Sequence, residues 1–152
     1  MPLSSNFGHI SIVARDWQKL AQFYLEVFNC TPVFPPRDLS GNWLEKATGI
    51  LGARLQGMHL RLPGHGPNGP TLEIFQYNMP AERPPTAVNR PGFAHIAFVV
   101  EDVAAALEEV KAAGGGAIGE IASFEIAGAG TVTLVYATDP EGNIIELQKW
   151  SQ

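Results

Sequence analysis

Phe7-Gly8-His9-Ile10-Ser11-Ile12-Val13 returns, almost residue type for residue type, as Phe93-Ala94-His95-Ile96-Ala97-Phe98-Val99, with an aspartate at the same distance beyond each histidine (Asp16 and Asp102). A second stretch is also duplicated. Pro67-Asn68-Gly69-Pro70-Thr71-Leu72-Glu73-Ile74 corresponds to Pro140-Glu141-Gly142-Asn143-Ile144-Ile145-Glu146-Leu147, with a glutamate in the matching slot of each. Each half of the chain therefore offers one histidine and one glutamate inside an apolar run.

Working outward from the first run, alternation sets Phe7, His9, Ser11 and Val13 on one face of a strand and Ile10 and Ile12 on the other. Both faces are largely apolar, so the strand is expected to be covered on both sides. Asp16 stands where an N-cap belongs, ahead of Trp17, Leu20, Phe23, Tyr24 and Val27-Phe28 at the spacing of an amphipathic helix that ends near Asn29. Residues 30–34 suit a short strand that Pro35-Pro36 is expected to stop, because proline cannot donate to a ladder. Asn42 to Gly49 suits one or two helical turns and has no counterpart in the second half, which makes Trp43 a candidate substrate residue. Strands are expected at 53–62 and 71–77, joined by a Pro/Gly-rich turn.

Residues 79–91, proline-rich and without apolar period, form a linker between module one (6–78) and module two (92–150). Module two repeats the plan with a strand at 93–100, a helix at 102–113 ended by Gly114-Gly115-Gly116, and strands at 117–124, 131–138 and 143–150. The last two meet across Asp139-Pro140-Glu141-Gly142, a reverse-turn sequence. The expected class is α+β, one domain of two tandem βαβββ modules around a shared cleft.

The 152 residues are 45% hydrophobic and 16% charged, the composition of a compact soluble domain. A net charge of -5 with scattered Lys and Arg weighs against nucleic acid as a partner. No apolar run nears the roughly 18 residues of a membrane span, and Met1 to Asn6 lacks the pattern of a signal peptide. The single cysteine, Cys30, suits packing in a reducing compartment, so a cytoplasmic protein is expected.

Glu73 and Glu146 are the anomalous residues. An unpaired ionised carboxylate among Leu, Ile and Phe costs several kcal/mol, and Arg61 and Lys149 are poorly placed to offset it. A divalent metal held by His9, Glu73, His95 and Glu146 accommodates all four groups. Two imidazoles and two carboxylates form an N/O set suited to Zn, Ni, Co, Mn or Fe, with shell positions left for substrate. His59 and His65 lack such a motif and read as surface residues.

The His-bearing repeats, the Asp139-to-Leu147 tail and the duplicated plan resemble the vicinal oxygen chelate superfamily, which includes glyoxalase I, methylmalonyl-CoA epimerase, extradiol dioxygenases and bleomycin- and fosfomycin-resistance proteins. The resemblance implies a cupped mixed β-sheet with a metal-binding cleft. A glyoxalase I-type ligand set falls on His9, Glu73, His95 and Glu146. The implied function is a metal-dependent lyase or isomerase that abstracts a proton next to a carbonyl of a small molecule, with Glu146 or Glu73 as base and the metal stabilising an enediolate. Alternatives are an epimerase, a ring-cleaving dioxygenase and a non-catalytic binder of a small molecule or antibiotic. Tyr136 resembles the tyrosine of the dioxygenase signature, but Ala127-Gly128-Ala129-Gly130 stands where that signature has its histidine. Arg54 and Phe75 are further candidate substrate contacts. Exposed strand edges point to a homodimer.

Overall fold

The computed structural model describes every residue from Met1 to Gln152. The chain divides into two compact units, Met1–Glu82 and Arg83–Gln152. In the first, the order is β1 (His9–Val13), α1 (Trp17–Phe28), β2 (Thr31–Ser40), α2 (Asn42–Thr48), β3 (Arg54–Arg61) and β4 (Thr71–Tyr77). They form a four-stranded sheet of order β1-β4-β3-β2, in which β1 runs parallel to β4 and the other pairs are antiparallel.

Helix α1 starts where the Asp16 carboxylate accepts a hydrogen bond from the Lys19 backbone N–H. It stops at Asn29, whose left-handed backbone (φ 54°) is a conformation asparagine tolerates. Its buried Leu20, Phe23, Tyr24 and Phe28 cover one face of the sheet, packing on β3 and β4, whose Met58, Leu60, Leu72 and Ile74 are buried too. The other face carries Leu55, Gly57, His59, Glu73 and Phe75. Leu44 of α2 is buried with Ala53 and Leu55, and Phe75 packs against that cluster.

Three expectations for this unit are corrected. The first strand begins at His9 rather than Phe7, and His9, Ser11 and Val13 lie on an exposed face of an edge strand instead of a covered one. The second strand does not stop at Pro35-Pro36. It continues to Ser40 because it is the edge strand opposite β1 and its register shifts between Val33 and Arg37, where missing N–H donors leave no gap in a regular ladder. His59 is not a surface residue: its side chain is only 18% exposed.

The second unit contains β5 (Ile96–Val99), α3 (Val103–Ala112), β6 (Gly116–Ala117), β7 (Ala122–Ile126), β8 (Gly130–Thr138) and β9 (Ile144–Ser151). Its sheet has the order β5-β9-β8-β6, and β7 also pairs with β8. The strand expected at 117–124 is thus two strands on one partner. Ala117 faces Ala137 and Ala122 faces Leu134, so the segment around Gly119 is longer than the stretch it spans and leaves the ladder. Asp102 caps α3 through the Ala105 N–H, and Val103, Leu107 and Val110 form its buried stripe.

The expected reverse turn is held by a buried carboxylate. Asp139, 2% exposed, accepts from the backbone N–H groups of Glu141 and Asn143 and from the Asn143 side-chain amide at 2.8–3.0 Å. The last part of the expected linker belongs to this unit. Arg83 donates to the Glu141 and Gly142 carbonyls and to Asn143 Oδ1, and Thr86 donates to the Gly142 carbonyl.

Candidate metal centre

In the first unit β4 lies between β1 and β3, so Glu73 has a neighbour on either side: Ser11 by parallel pairing and His59 by antiparallel pairing. His9, two residues before Ser11, shares the Glu73 face. The two imidazoles converge on one carboxylate oxygen. His9 Nε2 lies 3.4 Å and His59 Nε2 3.1 Å from Glu73 Oε2, and the rings meet edge to face at 5.2 Å. One donor atom from each of His9, His59 and Glu73 lies within 4.8 Å of the others. His59 Nδ1 is 2.8 Å from the Thr71 hydroxyl, and the Phe75 ring meets the His59 ring edge-on at 5.8 Å.

Burial lowers the pKa of His59 from its ordinary value, with smaller contributions in the same direction from the charges of His9, Arg37 and Arg61. The Glu73 carboxylate acts against them. The net effect favours the neutral imidazole, the form that ligates metals.

The second unit repeats the construction. Glu146 on β9 pairs with Ala97 on β5 and with Tyr136 on β8. His95, just ahead of β5, places Nε2 3.1 Å from Glu146 Oε2, and its ring lies 5.2 Å from that of Tyr136. Both carboxylates are mostly buried, at 14% and 13% side-chain exposure. The structure thus joins the predicted ligands in two pairs, one per unit.

The donor chemistry fits a divalent cation. With ligand bonds of about 2.1 Å, adjacent donors are about 3.0 Å apart in an octahedral shell and about 3.4 Å apart in a tetrahedral one. The observed N···O separations of 3.1 and 3.4 Å fall in that interval. Neither carboxylate has a Lys or Arg ion pair; histidines face both, and the Gln148 side-chain amide donates to Glu146 Oε2 at 3.5 Å.

Of the candidate substrate residues, Phe75 and Tyr136 touch site histidines. Arg54 lies on the helix side of β3 by strand parity, where its guanidinium forms a two-pronged bond with Asp38 at 2.7 and 2.8 Å. That contact holds the exposed Asp38 carboxyl below its ordinary pKa. Trp43 is 55% exposed on α2. His59 was missed because the cross-strand register that sets it opposite Glu73 is not local in sequence. The usable signal was that His59 and Glu73 lie on two expected strands joined by a Pro/Gly-rich turn.

Fold and site together define a duplicated βαβββ protein with an imidazole–carboxylate pair in each half. The family model of the glyoxalase/bleomycin resistance protein/dioxygenase superfamily matches residues 6–147, and the chain belongs to that superfamily. No curated protein matches it. Among solved structures, a glyoxalase family protein from Bacillus cereus is similar over 99% of this chain and 97% of its own, with a TM-score of 0.83 at 19% identity. The fosfomycin resistance protein FosX from Listeria monocytogenes has a TM-score of 0.62 at 18% identity, covering 98% of this chain and 96% of its own. A structure of FosX complexed with Mn(II) and sulfate has a TM-score of 0.56 at 17% identity, covering 98% and 95%. At these identities the likeness is one of fold. No helix is long and apolar enough to cross a membrane.

Proposed function

We propose that the chain is a divalent-metal-dependent enzyme of the glyoxalase I-like kind, a lyase or isomerase acting on a small molecule with a proton next to a carbonyl. His9, Glu73, His95 and Glu146 hold the metal. The observation that carries the reading is the His–Glu pair repeated in each unit, with N···O separations suited to adjacent ligands. When bound, the cation supplies Lewis acidity towards substrate oxygens.

The chain's own groups supply the proton transfer. Glu146 or Glu73 removes the proton at a carboxylate oxygen and returns it to the neighbouring carbon, or to the other face in an epimerisation. The low exposure of both carboxylates limits water around the transferred proton. Phe75 and Tyr136 contact the substrate beside His59 and His95. The protein works as a homodimer in the cytoplasm, a reading supported by the free buried Cys30 and by the position of β1 and β5 at sheet edges.

The test is purification without chelator, elemental analysis, and turnover of α-ketoaldehyde–thiol adducts and acyl-CoA epimers. Bound divalent metal, with a loss of about 100-fold or more in kcat for Glu146→Gln, is expected. Unchanged metal content together with unchanged turnover in that variant would overturn the assignment. Oxygen uptake with catechols would favour the dioxygenase instead.

A further inference from the structure

Within the first unit, a third donor shares the oxygen that His9 approaches. His59 Nε2 is 3.1 Å from Glu73 Oε2, closer than His9 Nε2 at 3.4 Å, and the second nitrogen of its ring is engaged by Thr71. We propose that His59 is a metal ligand of the first unit, so that His9, His59 and Glu73 form a three-donor set there, while the second unit supplies only His95 and Glu146. The inference rests on the reading that His9 and Glu73 hold a cation.

Three features carry it. The backbone register sets His59 and Glu73 side by side on one face of the sheet, so their side chains start from adjacent positions. Thr71 is buried, and its hydroxyl at 2.8 Å from Nδ1 fixes the ring rotation that aims Nε2 at the carboxylate, as outer-shell partners of ligating histidines do. The neighbouring Phe75 ring, edge-on at 5.8 Å, restricts the imidazole further. At the equivalent register position of the second unit stands Tyr136, a phenol with no neutral nitrogen to donate. The two units therefore differ in the donors each brings together: two imidazoles and a carboxylate in the first, one imidazole and a carboxylate in the second.

Co(II) is the probe, read on the full-length protein. Proton NMR of the Co(II)-loaded wild type counts ligated imidazoles through their paramagnetically shifted ring N–H signals. Three such signals are expected, from His9, His59 and His95, with one lost in His59→Gln; two signals in the wild type, both retained in His59→Gln, would overturn the inference and leave the proposed function standing. Chelator competition gives a second readout. His59→Ala and the bulkier His59→Gln are each expected to weaken Co(II) binding at least tenfold and to alter the visible Co(II) bands, with melting temperature reporting folding. Wild-type affinity and spectrum in a folded variant would contradict the assignment. A wild type that binds no Co(II) would remove the proposed function as well, so the two failures are distinguishable.

Discussion

His59 and Tyr136 occupy the same place in the two units. Each stands directly across an antiparallel pair from a mostly buried glutamate, Glu73 or Glu146, and each ring lies 5.2 Å from that of the histidine paired with that glutamate, His9 or His95. The position is the same in both units and its chemistry differs, an imidazole in the first and a phenol in the second. One unit thereby gains a nitrogen donor and the other a hydroxyl that can donate a hydrogen bond to a substrate oxygen.

Tyr136→Phe separates those roles. The ring packing against His95 remains and only the hydroxyl is lost, so metal content is expected to stay at the wild-type level. Turnover is expected to fall by about tenfold, the effect of one lost hydrogen bond in the transition state. Parallel elemental analysis and steady-state kinetics check this.

Gly57 makes room for the site. A Cβ there would lie 2.0 Å from the Ile74 carbonyl oxygen and 2.4 Å from the Phe75 ring, too close for either to remain in place. Gly57→Ala is expected to cost about 1–3 kcal/mol by overpacking, measured by denaturant unfolding. It should also weaken metal binding, since β3 cannot shift at Gly57 without moving His59 off Glu73.

Asp139 organises the approach to Glu146. Asp139→Ala removes the acceptor for two backbone N–H groups and an amide at a buried turn, with an expected cost of about 1–3 kcal/mol in unfolding free energy. Asp139→Asn keeps one acceptor oxygen and should lose less.

Cys30 gives a pH signature. Burial pushes its thiol up to about 11, above the ordinary cysteine range. The folded state thus holds the proton more tightly than the unfolded state. Its contribution to stability is complete below about pH 9 and is lost as pH rises towards 11. Thiol titration at neutral pH should show little reaction in the native protein and full reaction after denaturation, and Cys30→Ala should flatten the alkaline decline in stability.

The juxtaposition of a histidine and a glutamate in each unit was legible in sequence because two local signals coincided. A glutamate inside an apolar strand demands a partner, and the duplication showed that each half carried the same His and Glu. Strand parity then set His9 and Glu73 on one face, as found. What escaped was non-local. The position of β2 at a sheet edge, which lets it run through Pro35 and Pro36, depends on which strands pair with it. The division of the 117–124 segment into β6 and β7 follows from the length of β8 they share. The match of His59 to Glu73 depends on hairpin register, which the irregular 63–70 turn does not specify.

The most direct measurement is anomalous diffraction from crystals of the full-length protein grown with Mn(II) or Co(II), collected on either side of the metal absorption edge. The proposed function predicts a single strong peak within bonding reach of Glu73 and Glu146 carboxylate oxygens and of His9 and His95 Nε2. A metal-loaded crystal with no peak at either His–Glu pair, or with its peak at other side chains, would contradict it.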